Sequence, residues 1–188
     1  MALALGVGLL AGCGPGDPEP TGSGSLTAGS PTPTAVETNP TELVTAVPLP
    51  VMPPEMANND AAGAEAALRY FFELYGYAYL SRDLGRWEEI SSDDCLFCAA
   101  VTEEITQMLN DGETQVGGLV TVDNIGSATY DSTFDVHTID LTATQLPYKE
   151  IGPSGDVMGE SDGGTFRLSA ILKLTSSGWL VLEAGSSE

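Results

Sequence analysis

The sequence predicts an α+β fold, helices first and an antiparallel sheet after them, joined to an extended N-terminal segment. Three features predict it. Residues 61–81 repeat aromatic and aliphatic side chains every three or four positions, beyond Gly117-Gly118 the apolar period shortens to two, and everything up to about Asn59 lacks Lys, Arg, Trp, Tyr and Phe. A helical block followed by a run of strands defines the α+β class, whereas α/β folds alternate the two. A core is built from large apolar side chains, so the single domain is expected over 58–188 of the 188-residue chain, long enough for one independent core.

Within that domain, Ala61–Ser81 reads as one long helix capped by Asn59 or Asp60, with Leu68, Phe71, Phe72, Tyr75, Ala78 and Tyr79 along one face. Leu84–Ser91 fits a shorter helix carrying Trp87. Asp93 or Asp94 is expected to cap a third, from Cys95 to about Asn110, with Val101, Ile105, Met108 and Leu109 facing inward and Gly112 ending it. Leu119–Ile125 is the first expected strand and Thr133–Leu146 a longer one. Phe134 and Val136 fall on one face of the latter and Ile139 and Leu141 on the other, which predicts a bulge around His137-Thr138. Pro147–Gly164 is a hairpin connection or loop with a weak strand near Lys149. Phe166, Leu168, Ala170, Leu172 and Leu174 then alternate with polar neighbours, and Ser177-Gly178 turns the chain into Trp179–Glu183. One long and two short helices on a curved antiparallel sheet of about four strands resembles the nuclear transport factor 2-like (SnoaL-type) cone. That resemblance implies a sheet wrapped around the first helix.

The N-terminus carries an address. Met1–Gly12 is apolar or small and ends in Leu10-Ala11-Gly12-Cys13, which resembles the lipobox of bacterial lipoproteins. The run is shorter than the ~20 residues that cross a bilayer core, so residues 1–12 are expected to be a cleaved signal peptide. No Lys or Arg precedes the apolar run, and the true start is expected further upstream. Cys13 then heads the mature chain, its thiol carrying acyl chains such as palmitate. Each buried methylene contributes ~0.8 kcal/mol, so several chains make a durable anchor. Residues 13–57, rich in Pro, Thr, Gly and Ser, follow as a disordered tether. As flexible coil its ~40 residues reach roughly 35 Å. The expected location is extracytoplasmic, at the outer face of the cell membrane, with the membrane contacted through the lipid at Cys13.

A net charge of −21 with only six basic residues excludes nucleic acid, whose phosphates need a basic surface. It also disfavours lying flat on anionic lipid.

A second likeness is more specific. Met52-Pro53-Pro54-Glu55, Gly63-Ala64, Tyr70-Phe71, Tyr77-Ala78-Tyr79, Asp83, Ser91, Cys95 with Cys98, and Gly117-Gly118 together resemble an actinobacterial lipoprotein family known as a domain of unknown function, DUF6318. The likeness covers about residues 50–130. It implies an envelope location and the cone fold, and it brings no catalytic residue.

Three constellations carry chemistry. Cys95-Leu96-Phe97-Cys98 is the remaining thiol pair once Cys13 is acylated; in an exported protein it reads as a disulfide, with redox exchange and metal ligation as the other readings. His137, the lone histidine, with Asp135 two residues away, is a candidate general acid/base pair. Tyr75 and Tyr79, with His137, are candidates for a pocket lining. A zinc site would have to add His137 and a carboxylate to the cysteines, and the spacing of Asp156, Glu160 and Asp162 matches no regular calcium loop. No metal or cofactor set is therefore read. The leading expectation is a non-enzymatic envelope lipoprotein that binds a protein partner or small ligand. Its rivals are a small-molecule enzyme using His137 and Asp135, and a thiol-redox protein using Cys95 and Cys98.

Overall fold

A computed structural model describes residues 47–186. Cys13, the signal segment and the first part of the expected tether lie outside the described residues. The packed chain begins earlier than the expected boundary at 58. Pro54–Ala57 form a single 3-10 turn, Met56 is buried, and its carbonyl accepts a hydrogen bond from Trp179 Nε1 at 2.8 Å.

Helix α1, Ala61–Ser81, starts where Asp60 Oδ1 accepts the Gly63 N–H at 2.8 Å. Such a cap satisfies one of the donors that a helix start leaves free. Ala64, Ala67, Leu68, Phe71, Leu74 and Ala78 follow at three- and four-residue steps and are fully buried. Arg82, left-handed at φ 60°, ends the helix with its N–H on Ala78 O. Helix α2, Gly85–Ile90, sends Trp87 into the core, where its ring stacks on Phe71 at 4.6 Å. After α2, Ser91 bridges to Val181 and the Ser92 N–H donates to Val181 O, which stitches the helices to the sheet.

Helix α3, Leu96–Asp111, is capped by Cys95 rather than by Asp93 or Asp94. Cys95 Sγ accepts from the Cys98 N–H at 3.2 Å. Its inward stripe is Cys98, Val101, Ile105 and Met108; Leu109, expected inward, sits one step round the helix and is exposed.

Two antiparallel sheets follow. Strands β1 (Thr114–Gly117), β4 (Tyr148–Ile151) and β5 (Val157–Ser161) form a small sheet in the order β1-β4-β5. Strands β2 (Val120–Asp131), β3 (Val136–Gln145), β6 (Gly164–Thr175) and β7 (Gly178–Ser186) form the main one in chain order. Of the readings of 147–164 the hairpin is the one observed, with the strand near Lys149 present as β4; it pairs with a strand, β1, absent from the expectation.

Gly117 and Gly118 both have positive φ, and a Cβ on Gly117 would lie 2.3 Å from Pro147 O. Only glycines let the chain pass from one sheet to the other there. The main sheet bends through register shifts in β2, at Val122/Asn124 and Ile125/Ser127, and between Ile171 and Leu172.

No bulge sits at His137-Thr138. The β3–β6 register runs unbroken from His137↔Leu172 to Gln145↔Gly164. The apparent change of face arises because residues 132–135 are the β2–β3 turn, which puts Phe134 in water, 68% exposed. Along β3, His137, Ile139, Leu141 and Ala143 all point inward, toward the layer headed by α1.

Gly63 lies where α1 crosses the chain before it, and an added Cβ would stand 2.0 Å from Asn58 O. Replacing Gly63 by Ala is expected to lower the unfolding free energy by about 1–3 kcal/mol, the usual range for overpacking. Gly185→Ala, with open space around the new methyl, is expected to stay within about 0.5 kcal/mol of the parent. Urea unfolding at unchanged slope measures both.

Candidate functional site

His137 and Asp135 are neighbours without being a dyad. Asp135 is not on β3; it closes the turn before it, with φ 56°. Its carboxylate accepts from the Tyr130 hydroxyl at 2.8 Å and faces Lys173 Nζ at 3.8 Å. The Tyr130 hydroxyl and then Lys173 hold its pKa below the ordinary carboxylate value.

His137 is 4% exposed. Its Nε2–H donates to Asn59 Oδ1 at 3.3 Å, and its ring lies against Tyr130 at 4.8 Å and Trp179 at 5.4 Å. Burial pushes its pKa down, opposed by the charges of Asp135 and Asp60. The imidazole is therefore a neutral packing element tied to the residue before the α1 cap. Five of the best-formed cavities among the described residues are lined by other side chains.

Tyr75 and Tyr79 lie elsewhere. Their rings meet at 4.8 Å toward the C-terminal half of α1. The Tyr79 hydroxyl donates to Glu104 Oε2 on α3 at 2.6 Å. Burial is the main cause that raises the pKa of both tyrosines.

Tyr75 borders Gln145, the last residue of β3. His137 is the second residue of that strand, about 26 Å away at the usual strand rise. The structure therefore does not bring His137 into one pocket with Tyr75 and Tyr79.

What Tyr75 does line is a cavity of about 200 Å³ between α1, the start of α3 and the ends of β2, β3 and β6. Phe72, Phe97 and Phe166 complete its aromatic wall, with Val120 and Leu168 beside them. Phe166 points inward yet is 47% exposed, because it borders this cavity rather than packing tightly against α1. The alternation around Phe166 was visible in the sequence; that nothing would cover it was not. A smaller cavity, about 130 Å³, lies beneath the segment before α1, between Met56, Tyr70 and Trp179.

Cys95 and Cys98 are joined, with sulphurs 2.10 Å and Cα atoms 5.2 Å apart. Both are at most 2% exposed, and the Cys98 carbonyl accepts from Trp87 Nε1 at 3.3 Å. Among the described residues no three His, Cys, Asp or Glu side chains stand together as a metal site, and no helix is long and apolar enough to cross a membrane.

Helices followed by a bent antiparallel sheet that closes on the first of them define an α+β domain of the cone class. The chain belongs to a family of unknown function, DUF6318, which it matches over residues 35–183. Among solved structures it is similar in fold to the intermembrane space region of the chloroplast protein ARC6. The two share 14% identity at a TM-score of 0.54, over 68% of this chain and 95% of that one. An uncharacterized protein with a cystatin-like fold from Caulobacter vibrioides, 16% identical, overlaps at a TM-score of 0.39 over 65% of this chain and 87% of its own. Likeness at such identities speaks of fold alone. No curated protein matches the chain.

Two outcomes are expected. Below His137's ordinary value of 6.5 the unfolded chain binds more protons at this residue than the folded one. Stability therefore rises with pH up to about 6.5 and then levels. His137→Gln flattens that rise, leaving only the acid loss below about 3.8 from Asp83, Asp135 and Asp140, whose folded values are depressed. Urea unfolding between about pH 5 and 8 reads the slope. Reduction of the Cys95–Cys98 bridge removes about 2 kcal/mol on the chain-entropy model; unfolding with and without reductant measures it.

Proposed function

We propose that the chain is a cell-envelope lipoprotein, held at the outer face of the membrane by acyl chains on Cys13, whose domain binds rather than transforms its target. The observation that carries the non-enzymatic reading is the separation of the two acid/base candidates. His137 gives its Nε2–H to Asn59, while the Asp135 carboxylate is occupied by Tyr130 and Lys173. A general base needs an open path to substrate and a partner to orient it, and neither side chain lines the α1–sheet cavity or the one beneath the segment before α1.

The bridged, buried cysteines support an oxidising compartment and a structural role for the bond, since thiol exchange requires an accessible sulphur. The Leu10-Ala11-Gly12-Cys13 sequence supports the anchor. The partner class is an envelope protein or a small ligand taken at the open end of the sheet.

Cells expressing the protein and fed a clickable palmitate analogue are expected to label it, with the product in the membrane fraction. Cys13→Ala is expected to abolish the label and release the domain. A wild-type protein that takes no label, or stays in the cytosol with its first twelve residues, overturns the anchored reading.

A further inference from the structure

The wall of the α1–sheet cavity is aromatic and carries no charged side chain. Four rings, Phe72, Tyr75, Phe97 and Phe166, surround it, and polar atoms enter only from Tyr75 and Gln145. An aromatic face presents negative charge density, so rings that line a cavity favour a cation over it.

No Lys or Arg borders the space. The basic side chains are engaged elsewhere: Arg69 on Val122 O, Arg82 on Glu113 O, Arg86 on Glu89, Lys149 on Glu160 and Lys173 beside Asp135. Arg167 alternates with Phe166 and Leu168 on β6, and so projects from the opposite face of the sheet. Behind the Tyr75 ring, Tyr79 leads to the Glu104 carboxylate. The whole chain carries −21, and a field of that sign raises the local concentration of cations and repels anions.

We propose that this cavity binds a small organic cation with an apolar body, of the quaternary ammonium class. The inference rests on reading the domain as a binding module and goes on to name what it binds. A quaternary ammonium has no N–H, so it leaves no donor unpaired in a wall that has few acceptors. Its methyl groups pack against the aromatic rings, while the charge is offset by their faces and by the acidic surround. Tyr75 and Gln145 remain for a single polar substituent. The cavity, about 200 Å³, exceeds the ~150 Å³ that accommodates a benzene ring.

The chain carrying Cys13→Ser, which takes no acyl group at that position, is titrated by calorimetry with benzyltrimethylammonium and with its uncharged carbon isostere, neopentylbenzene. The cation is expected to bind about fivefold or more tightly than the isostere. Phe166→Leu keeps the apolar bulk and removes the ring; it is expected to weaken the cation about five- to thirtyfold and the isostere by no more than about twofold. Phe97→Leu serves as a second, independent wall variant, and thermal unfolding checks that both variants fold. Equal or tighter binding of the isostere overturns the ligand class and leaves the binding reading standing. An equal loss of both ligands in Phe166→Leu also overturns the ligand class. Binding of neither probe overturns the assignment of this cavity as a ligand site, while the anchored reading is judged by the palmitate label alone.

Discussion

The domain depends on the removal of one helix from water. Along α1, Leu68, Phe71 and Leu74 are fully buried, and Phe71 meets Trp87 ring to ring at 4.6 Å. Each large side chain so buried contributes about 1.5–3 kcal/mol relative to leaving it in solvent, and no other element concentrates as many. A flat sheet would touch a cylinder along a narrow strip only. The register shifts in β2 and between Ile171 and Leu172 give the sheet the bend that brings β2, β6 and β7 all onto α1. The short helices serve the same end, since Trp87 on α2 and Val101 and Ile105 on α3 extend the buried layer toward β7.

That arrangement makes the two ends of β3 unlike one another. Near its start, the inner face is closed by Trp179, Asn59 and the segment ahead of α1, and His137 is absorbed into that closure. Near its finish, Ala143 and Gln145 look across a gap to Tyr75 and Phe97. A polar side chain that would draw attention in isolation sits at the sealed end, and a phenylalanine read from the sequence only as part of a strand, Phe166, stands at the open one. Of the two ends of β3, the finish is the one that borders a cavity.

How much of this was legible from residues alone follows from the range of each interaction. Helix α1 was legible to its last residue, because its start, its three-and-four spacing and its stop are all local. The alternation in β6 was legible for the same reason. The β2–β3 turn was not: Phe134 and Val136 mimic a strand pattern, and only pairing with β2 shows that Thr133 to Asp135 are turning. Strand β1 was missed because its four residues, Thr114–Gly117, gain their identity from Tyr148–Ile151, some thirty positions on. The cap of α3 was assigned to an aspartate by propensity, whereas bridging to Cys98 draws Cys95 into the capping position. Among the site residues, Tyr75 was legible as a pocket candidate and Phe166 only as a core one, since exposure of an inward-facing ring depends on how closely distant elements pack around it.

The hydrogen bond from Trp179 to the Met56 carbonyl has a mechanical meaning. Any tension on the chain from its N-terminal side arrives first at the 3-10 turn, Pro54–Ala57, which is riveted to the start of β7 rather than to α1 alone. The load path therefore enters the sheet before it can peel the helix from its seat. The close passage of Gly63 beneath Asn58 holds the two members of that joint in one geometry. Were the domain anchored from that side, as proposed, the far end of the sheet would stay undistorted while this joint bears the strain.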